Sequence, residues 1–360
     1  MGMKSLIRWM VPTASMVAVI ALGLPASAAP VAYQMVTVGD AGNAADTTGY
    51  GGVAYDYRIL KYEWTNAQYT TFLNAVDPQG TNPQSIWAAD MGSDPRGGIS
   101  NGGSGSGNHY VVRANMADKP VNFVSWWDAA RVANWLQNGA RTYATTDATA
   151  GAPQNTGAYA LGTAVDGDAP AKTATARYWI PTENEWYKAA YYKGGSANAG
   201  YFLYGNSNND SPIGIDVTAD GTGTRWGISP WGQGNLVNGY SNAVWNGVVG
   251  NVATVGSAGA ASSYGAFDMI GNVWEFNDLD GTSGSSRGWR GGGWPSYAIE
   301  MMATSRYTGS ASVEWSTVGF RLAGTLETPV PEIDPAGLGS VMALVTGALG
   351  LLERRRAGRT

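Results

Sequence analysis

The sequence predicts a single α+β domain with little regular secondary structure, and three observations lead to this fold class. Helical periodicity is clear only in residues 66–76, 125–136 and 182–191. Short strands are predicted at 55–62, 121–124, 178–180, 288–294 and 318–322. Glycine makes up 51 of the 360 residues, about twice its average usage, which is typical of a chain with many turns.

Capping residues support the second and third predicted helices. Ser125 is followed three residues later by Asp128, a weak form of the capping box. Thr182 can cap the third helix, and Glu183 and Glu185 suit the positive end of its dipole. Residues 97–107 and 148–172 are rich in Gly, Ala, Ser and Thr, so we expect surface loops there.

The composition excludes several classes of function. The net charge is −5 and no basic stripe occurs in the interior of the chain, so a nucleic-acid partner is not expected. The absence of cysteine removes disulfides, thiolate nucleophiles and cysteine-ligated metals. The single histidine, His109, lies in a glycine-rich segment. A Ser-His-Asp triad would have to use it, and we interpret it as an ordinary loop residue.

Residues 1–28 have the layout of a secretory signal peptide. Lys4 and Arg8 precede an apolar run at 16–24, and Ala26-Ser27-Ala28 resembles a cleavage site. The alternative, a transmembrane helix, is disfavoured because the run is too short to cross a bilayer. We therefore expect the protein to be exported.

The C-terminal residues 335–360 are predicted to be a membrane-directed sorting segment, joined to the body by a linker at 325–334. Residues 335–352 form an uncharged stretch of 18 residues that precedes Arg354-Arg355-Arg356, so the helix would leave its tail inside the cell. Val330-Pro331-Glu332 resembles the PEP-CTERM signal of Gram-negative bacteria, although Ile333 stands where a second Pro is usual. This resemblance implies an exosortase-type sorting machinery and a location in the cell envelope or extracellular matrix.

Six short motifs follow one another along the body of the chain. They are Tyr62-Glu63-Trp64-Thr65-Asn66-Ala67-Gln68-Tyr69, Pro120-Val121-Asn122-Phe123-Val124-Ser125-Trp126-Trp127-Asp128-Ala129, Ile180-Pro181-Thr182-Glu183-Asn184-Glu185-Trp186, Gly271-Asn272-Val273-Trp274-Glu275-Phe276, Arg290-Gly291-Gly292-Gly293-Trp294 and Val318-Gly319-Phe320-Arg321-Leu322. In this order they resemble the formylglycine-generating enzyme, or sulfatase-modifying factor, family. The resemblance covers about residues 34–324, implies a fold related to C-type lectins within a domain at 29–324, and implies bound calcium.

The residues that the family uses for copper are not present. The resemblance places Ser296 and Met301 at the two copper-binding cysteines and Gly293 at the active-site serine. A hydroxyl and a thioether do not replace two thiolates around copper(I), so copper and the known oxidase reaction are not expected. The iron-dependent sulfoxide synthases of the same family need several histidines, which this chain also lacks.

Calcium ligands are better retained. The resemblance implies one site formed by the Asp268 side chain, the Gly271 and Val273 carbonyls and the Glu275 side chain, and such oxygen ligands suit calcium. Alternatively, the two carboxylates cap turns or pair with Arg290. A second site would use Asn235 and the Leu236 carbonyl, but the expected downstream aspartate is not evident near Gly247.

The aromatic residues divide into two groups. We expect Trp126, Trp127, Trp135, Trp186 and Trp274 in the core, because they lie in or beside the motifs. Loop-like segments carry Trp87, Trp226, Trp231, Trp245 and Trp315, and an exposed tryptophan there could stack on a sugar or anchor a protein.

The charged motif residues admit structural and functional interpretations. Arg290 and Arg321 are expected to bind buried loop carbonyls; Arg290 and Trp294 are also candidates for ligand binding in the cleft. Glu183 and Glu185 diverge by about 200° on a helix, so we reject them as a glycosidase pair.

Two hypotheses about function follow. The first is a non-catalytic, calcium-stabilised binding or matrix module with an unknown glycan or protein ligand. The second is a sulfatase-modifying-type oxidoreductase with an unrecognised centre. The missing copper ligands favour the first.

Overall fold

The computed structural model describes residues 31–224, 236–237 and 244–326. The α-helices within these residues are α1 (Asn66–Val76), α2 (Asp90–Ser93), α3 (Trp126–Gln137) and α4 (Glu183–Tyr191). The strands are β1 (Met35–Val38), β2 (Tyr57–Leu60), β3 (Ile99–Asn101), β4 (Tyr110–Val112), β5 (Tyr178–Trp179), β6 (Ile213–Gly214), β7 (Asp216–Val217), β8 (Gly223–Thr224), β9 (Leu236–Val237), β10 (Val244–Trp245), β11 (Val248–Val249), β12 (Trp274–Asn277), β13 (Ser286–Arg290), β14 (Tyr307–Ser310), β15 (Val318–Gly319) and β16 (Ala323–Gly324). A 3-10 helix spans Ala298–Met301.

The three longer helices each begin with a capping box. Thr65, Ser125 and Thr182 each accept a hydrogen bond from the backbone N–H three residues on, and the side-chain oxygen of that third residue accepts one from the backbone N–H of the cap. These reciprocal bonds satisfy donors that a helix N-terminus would otherwise leave unpaired. The three helices predicted from periodicity are therefore confirmed to within one residue.

Two four-stranded sheets organise the domain. The first has the order β1-β2-β16-β5 and the second β14-β13-β12-β15. All pairs in the first sheet are antiparallel, whereas β12 and β15 of the second run parallel. Two-stranded antiparallel pairs and isolated β-bridges occur in the segments outside these two sheets.

Large aromatic side chains fill the space between the helices and the sheets. Trp64, Trp126, Trp135 and Trp186 are no more than 1% exposed, and the Phe72 and Trp135 rings contact edge to face at 5.5 Å between α1 and α3. The predicted core positions of Trp126, Trp127, Trp135 and Trp186 are confirmed.

Three predicted elements differ from the observed ones. Residues 121–124 form no strand, because the Val121 and Phe123 N–H groups donate to two separate segments and Phe123 has φ +56°. The segment 97–107, predicted as loop, contributes β3 to a hairpin with β4. Of the predicted strand at 318–322, only residues 318–319 form a strand, β15; β16 follows the predicted segment and belongs to the other sheet.

The predicted terminal segments 1–28 and 335–360 lie outside the described residues, as do Trp226 and Trp231. Within the part of the chain that the structure describes, none of the helices has the length and apolarity required to cross a membrane.

Candidate functional site: an aromatic surface beside the altered copper positions

Ser296 and Met301 both lie close to Gly292. Gly292 has φ +77°, and a Cβ built on it would lie 3.2 Å from Ser296 Cβ and 2.9 Å from Met301 Cγ. The Ser296 hydroxyl accepts a hydrogen bond of 3.1 Å from the Gly293 N–H, and both residues are buried. Met301 belongs to the core. The two positions that the resemblance assigns to copper are thus neighbours in space, but they hold a hydrogen-bonded hydroxyl and a packed thioether.

Gly293 has little space for the serine that the family pattern expects. A Cβ there would lie 3.2 Å from the Thr317 carbonyl oxygen and 3.3 Å from Trp274 Cδ1. Such contacts are tight, so the backbone or the indole would have to shift for a larger side chain. The space around position 293 therefore suits glycine better than the serine of the family pattern.

An aromatic surface lies next to this loop. It is formed by Trp274, Trp294, Tyr307 and Trp315, with the buried Trp289 packed against Trp315. The Trp274 and Tyr307 rings meet edge to face at 4.9 Å, and the Trp289 and Trp315 rings lie 5.6 Å apart. Trp315 is 54% exposed and Tyr307 46% exposed.

The backbone holds the members of the aromatic surface together. The Trp274 N–H donates to Thr317, and the Trp294 indole donates to the Ser316 carbonyl at 3.3 Å. Gly309 lets Trp289 approach β14, since a Cβ there would lie 2.4 Å from that indole. Trp274 was expected in the core but is only half buried, because it lies on the side of β12 that meets Tyr307.

A guanidinium flanks the aromatic surface. The Arg96 guanidinium carbon lies 4.4 Å from the centre of the Trp294 ring, a geometry that attracts the cation to the ring face. Arg96 also donates to the Gly250 and Val249 carbonyls. The predicted ligand-binding residue Trp294 therefore lies on the aromatic surface, with a fixed cation over its ring.

Arg290, the other predicted ligand-binding residue, lies elsewhere. It is 1% exposed, and its guanidinium pairs with Glu183 at 2.8 Å and donates to the Ala303 and Ser305 carbonyls. Its carbonyl contacts confirm the structural interpretation made from the sequence. Arg306 donates to the same Glu183 carboxylate.

Arg306 and Glu183 help to line a pocket of about 380 Å³ at the N-terminus of α4. The remaining lining residues are Tyr50, Asn184, Leu279, Asp280 and Thr282. Glu185 lies away from Glu183, because its carboxylate accepts from the Thr182 N–H and from the Trp179 indole. The two glutamates are therefore separated, as their spacing on the helix predicts.

Asp268 and Glu275, the predicted calcium carboxylates, belong to a buried cluster with Glu63 and Arg321. Glu275 pairs with Arg321 and accepts a bond of 2.7 Å from the Trp186 indole, so its partner is Arg321 rather than the Arg290 that the alternative proposed. Asp268 accepts from the Gly256 N–H. Arg321 also donates to the Leu60 and Phe267 carbonyls, as predicted.

Burial raises the pKa values of two acids in this cluster, Asp268 and Glu63. The pKa of Asp268 is raised to about 6 by burial, and Glu275 adds to the increase while Arg321 opposes it. Burial, Asp268 and Glu275 together raise the pKa of Glu63 well above its usual value. The Arg321 guanidinium thus lies among three acidic side chains. Carboxylate oxygens in excess over positive charge are ligands that suit a cation such as calcium.

Of the remaining predicted calcium ligands, Gly271 and Val273 lie near the cluster, whereas Asn235 and Leu236 belong to another part of the chain. The Val273 N–H donates to Glu63 at 3.2 Å, and the Gly271 N–H donates to Gly291. Asn235 lies outside the described residues, and Leu236 pairs with Ile213 in a two-residue strand. Among the described residues, no group of three or more His, Cys, Asp or Glu has a geometry that could hold a metal ion.

Glu63 was not identified from the sequence. It contacts Asn272 and Val273 across more than two hundred positions of the chain. The signal available was a carboxylate between Tyr62 and Trp64 in the first motif, where a buried acid requires partners.

The chain belongs to the sulfatase-modifying factor enzyme 1-like domain family, whose pattern matches residues 51–326. The fold is the α+β fold of that family, a single domain with little regular secondary structure. No curated protein sequence matches the chain significantly.

Similar solved structures include three proteins of low sequence identity. CarF is 18% identical, with a TM-score of 0.46, over 82% of this chain and 100% of that one. Treponema denticola variable protein 1 is 18% identical, with a TM-score of 0.40, over 81% and 95% of the two chains. PvdO from Pseudomonas aeruginosa is 16% identical, with a TM-score of 0.38, over 82% and 92%.

Proposed function

We propose that this protein is a non-catalytic binding module of the sulfatase-modifying factor family, and that its ligand is a glycan held on the aromatic surface. The observation that carries the proposal is the exposure of Trp315 and Tyr307 beside the loop of Gly292 and Gly293. An exposed indole offers a flat apolar face at little entropic cost. The C–H face of a sugar ring can cover such a face while its hydroxyls stay in water.

The occupancy of the copper positions supports binding over oxidation. The hydroxyl of Ser296 is engaged by Gly293, and Met301 is packed in the core. Neither side chain supplies the anionic sulfur that copper(I) prefers. An oxidoreductase would therefore need a centre outside these positions.

A glycan and peptide array tests the proposed ligand class. The full chain should bind glycans, and Trp315→Ala and Tyr307→Ala should each weaken binding at least about tenfold, as expected for an aromatic anchor. Tyr55→Ala is a matched control, because Tyr55 is 47% exposed but precedes β2 in the other sheet. Binding of peptides alone, or glycan binding that survives both substitutions, would contradict the proposal.

The proposal includes export and envelope delivery. The layout of residues 1–28 and the apolar and basic pattern of 335–360 support it. Deletion of 335–360 should release the protein from the envelope fraction of the native host. Unchanged localisation of the deletion variant would count against a sorting role.

We further propose that calcium stabilises the domain at Asp268, the Gly271 and Val273 carbonyls and Glu275. The support is the excess of buried carboxylates over guanidinium in the cluster of Glu63, Asp268, Glu275 and Arg321. When bound, calcium would supply positive charge and fix the loop, with no catalytic part.

A further inference from the structure

A second cavity, which we call the arginine pocket, lies at the C-terminal end of α3. It has a volume of about 410 Å³ and is lined by Gln137, Asn138, Gly139, Arg141, Tyr143, Pro153 and Arg177. The aromatic surface is near the other end of this helix, because Phe123, just before the N-cap, donates to the Trp315 carbonyl. A helix of 12 residues is about 18 Å long, so the two features are separate.

The pocket carries positive charge without a carboxylate in its lining. Arg177 donates through Nη2 to the Gln137 carbonyl at 2.7 Å and so neutralises part of the negative end of the α3 dipole. Arg141 is exposed, and its guanidinium makes no hydrogen bond or ion pair with any residue that the structure describes. Arg141 is therefore available to an anion from solution.

Tyr143 offers a second unused polar group. Its hydroxyl oxygen is buried and has no hydrogen-bond partner among the described residues. Burial raises the pKa of Tyr143, Arg141 lowers it and Asp147 raises it, so the hydroxyl stays protonated and can both donate and accept. A buried hydroxyl without a partner is uncommon and calls for an explanation.

Asp147 is the acidic group that acts on Tyr143. Its Oδ1 accepts a hydrogen bond of 2.9 Å from the Thr149 N–H, and this bond lowers its pKa. Asp147 is therefore ionised and turned to its own loop. It does not pair with Arg141 in the described structure, so it leaves that guanidinium unneutralised.

Hydrogen bonds fix the walls of the pocket. The Asn138 amide nitrogen donates to the Asn134, Pro153 and Thr156 carbonyls. The Gln137 side chain accepts from the Arg177 N–H at 2.7 Å and donates to Thr175 at 3.1 Å. A pocket held in this way requires little ordering when a ligand enters.

We infer that the arginine pocket binds a sugar that carries an oxyanion, such as a uronic acid residue. The planar guanidinium of Arg141 can hold a carboxylate or a sulfate ester through two parallel bonds. Tyr143 lines the same pocket, and a rotation of its ring toward the ligand would let its hydroxyl bind a sugar hydroxyl, which gives the buried oxygen its missing partner. The volume of about 410 Å³ falls in the range of small-molecule sites.

Calorimetric titration of the full chain tests the inference. Glucuronate, galactose 6-sulfate and glucose are the three probes, and at least one anionic sugar should bind saturably and more tightly than glucose. The two anionic probes distinguish a carboxylate from a sulfate ligand. No saturable binding of either, or equal binding of glucose, would overturn the inference.

Variants assign the binding to this pocket. Arg141→Gln should weaken binding at least about tenfold, since hydrogen bonds between charged groups are the strong ones. Tyr143→Phe should weaken it about fivefold through the loss of one neutral hydrogen bond. Lys193→Gln removes one exposed charge elsewhere and should leave affinity unchanged. Wild-type affinity in Arg141→Gln would place the ligand elsewhere. This outcome is distinct from failure of the aromatic surface, which the Trp315 and Tyr307 variants report separately.

Discussion

Arg321 and Glu275 meet in a two-point ion pair, in which Nη2 lies 2.6 Å from Oε1 and Nε lies 2.6 Å from Oε2. Neither side chain is exposed. Glu275 is on β12 of the second sheet, whereas Arg321 lies between β15 and β16 where the chain passes from one sheet to the other. The ion pair therefore links the second sheet to the segment through which the chain enters the first sheet.

Removing one partner of this pair should destabilise the protein strongly. Arg321→Leu leaves a buried carboxylate without its cation, so we expect a loss of about 3–5 kcal/mol in the free energy of unfolding, measured by urea denaturation. Asp94→Asn is the control, because Asp94 and Arg96 form a pair at 4.0 Å with partly exposed side chains; it should cost less than about 1 kcal/mol. Equal losses in the free energy of unfolding would show that the buried pair stabilises the protein no more than the partly exposed pair does.

The positions of Ser296 and Met301 predict a gain of copper binding. The wild-type chain should neither bind copper(I) tightly nor convert a cysteine peptide to an aldehyde, because the thiolates are absent. The double variant Ser296→Cys with Met301→Cys should bind copper(I), since both side chains adjoin Gly292. Competition with a chromogenic copper(I) chelator measures this, and each single variant serves as a control. Tight binding by the wild type would contradict the prediction.

The proposed calcium site predicts sensitivity to chelation. An ion that binds only the folded state adds about 2.7 kcal/mol at a hundredfold excess over its Kd, so a chelator should lower the melting temperature by several degrees. Asp268→Asn should abolish this sensitivity, and magnesium should replace calcium poorly because it prefers a tight octahedron. Identical wild-type melting curves in calcium and in chelator would leave Asp268 as the acceptor of the Gly256 N–H alone.

Asp278 predicts a dependence of stability on pH. Burial raises the pKa of Asp278 from 3.8 to about 6, although Arg287, Tyr159 and Trp126 favour the charged form. The folded state therefore binds more protons between these values, and the contribution of Asp278 is lost as the pH rises through about 6. The melting temperature of the wild type, relative to Asp278→Asn, should fall as the pH rises from 3.8 to about 6 and should change little at higher pH.

The control for Asp278 is the exposed Asp280. Bonds from Thr282 lower the pKa of Asp280, so its contribution is present at neutral pH and is lost as the pH falls. Asp280→Asn should therefore change the relative melting temperature in the opposite direction. The same pH trend in both variants would contradict the assignment to buried Asp278.

The helices were predictable because their signals are local. Thr65, Ser125 and Thr182 each stand three residues before a polar side chain that accepts a hydrogen bond from the backbone N–H of the cap. The strands were less predictable, because elements of two residues such as β15 and β16 depend on partners far along the chain. The irregular backbone at Phe123 results from bonds to two separate segments, and no pattern within residues 121–124 indicates it.

The site was predictable only in part, for a similar reason. Ser296 and Met301 were assigned through the motif order, and they do lie together around Gly292. The ion pair of Glu183 with Arg290 joins residues 107 positions apart, so the local spacing of residues does not indicate it. The arginine pocket was missed because Arg141, Tyr143 and Arg177 belong to no motif and meet only where α3 ends.

The place of β16 in the first sheet bears on the order in which the molecule can form. Ala323 pairs with both Ile59 of β2 and Trp179 of β5, so a strand near the end of the domain separates two strands made much earlier. During synthesis, β2 and β5 leave the ribosome without the strand that joins them, and their unpaired edges are exposed in the interval. Arg321, which completes the Glu275 pair, emerges only three residues before Gly324. The domain should therefore close late and in one step, and a nascent chain halted before residue 318 should remain sensitive to protease.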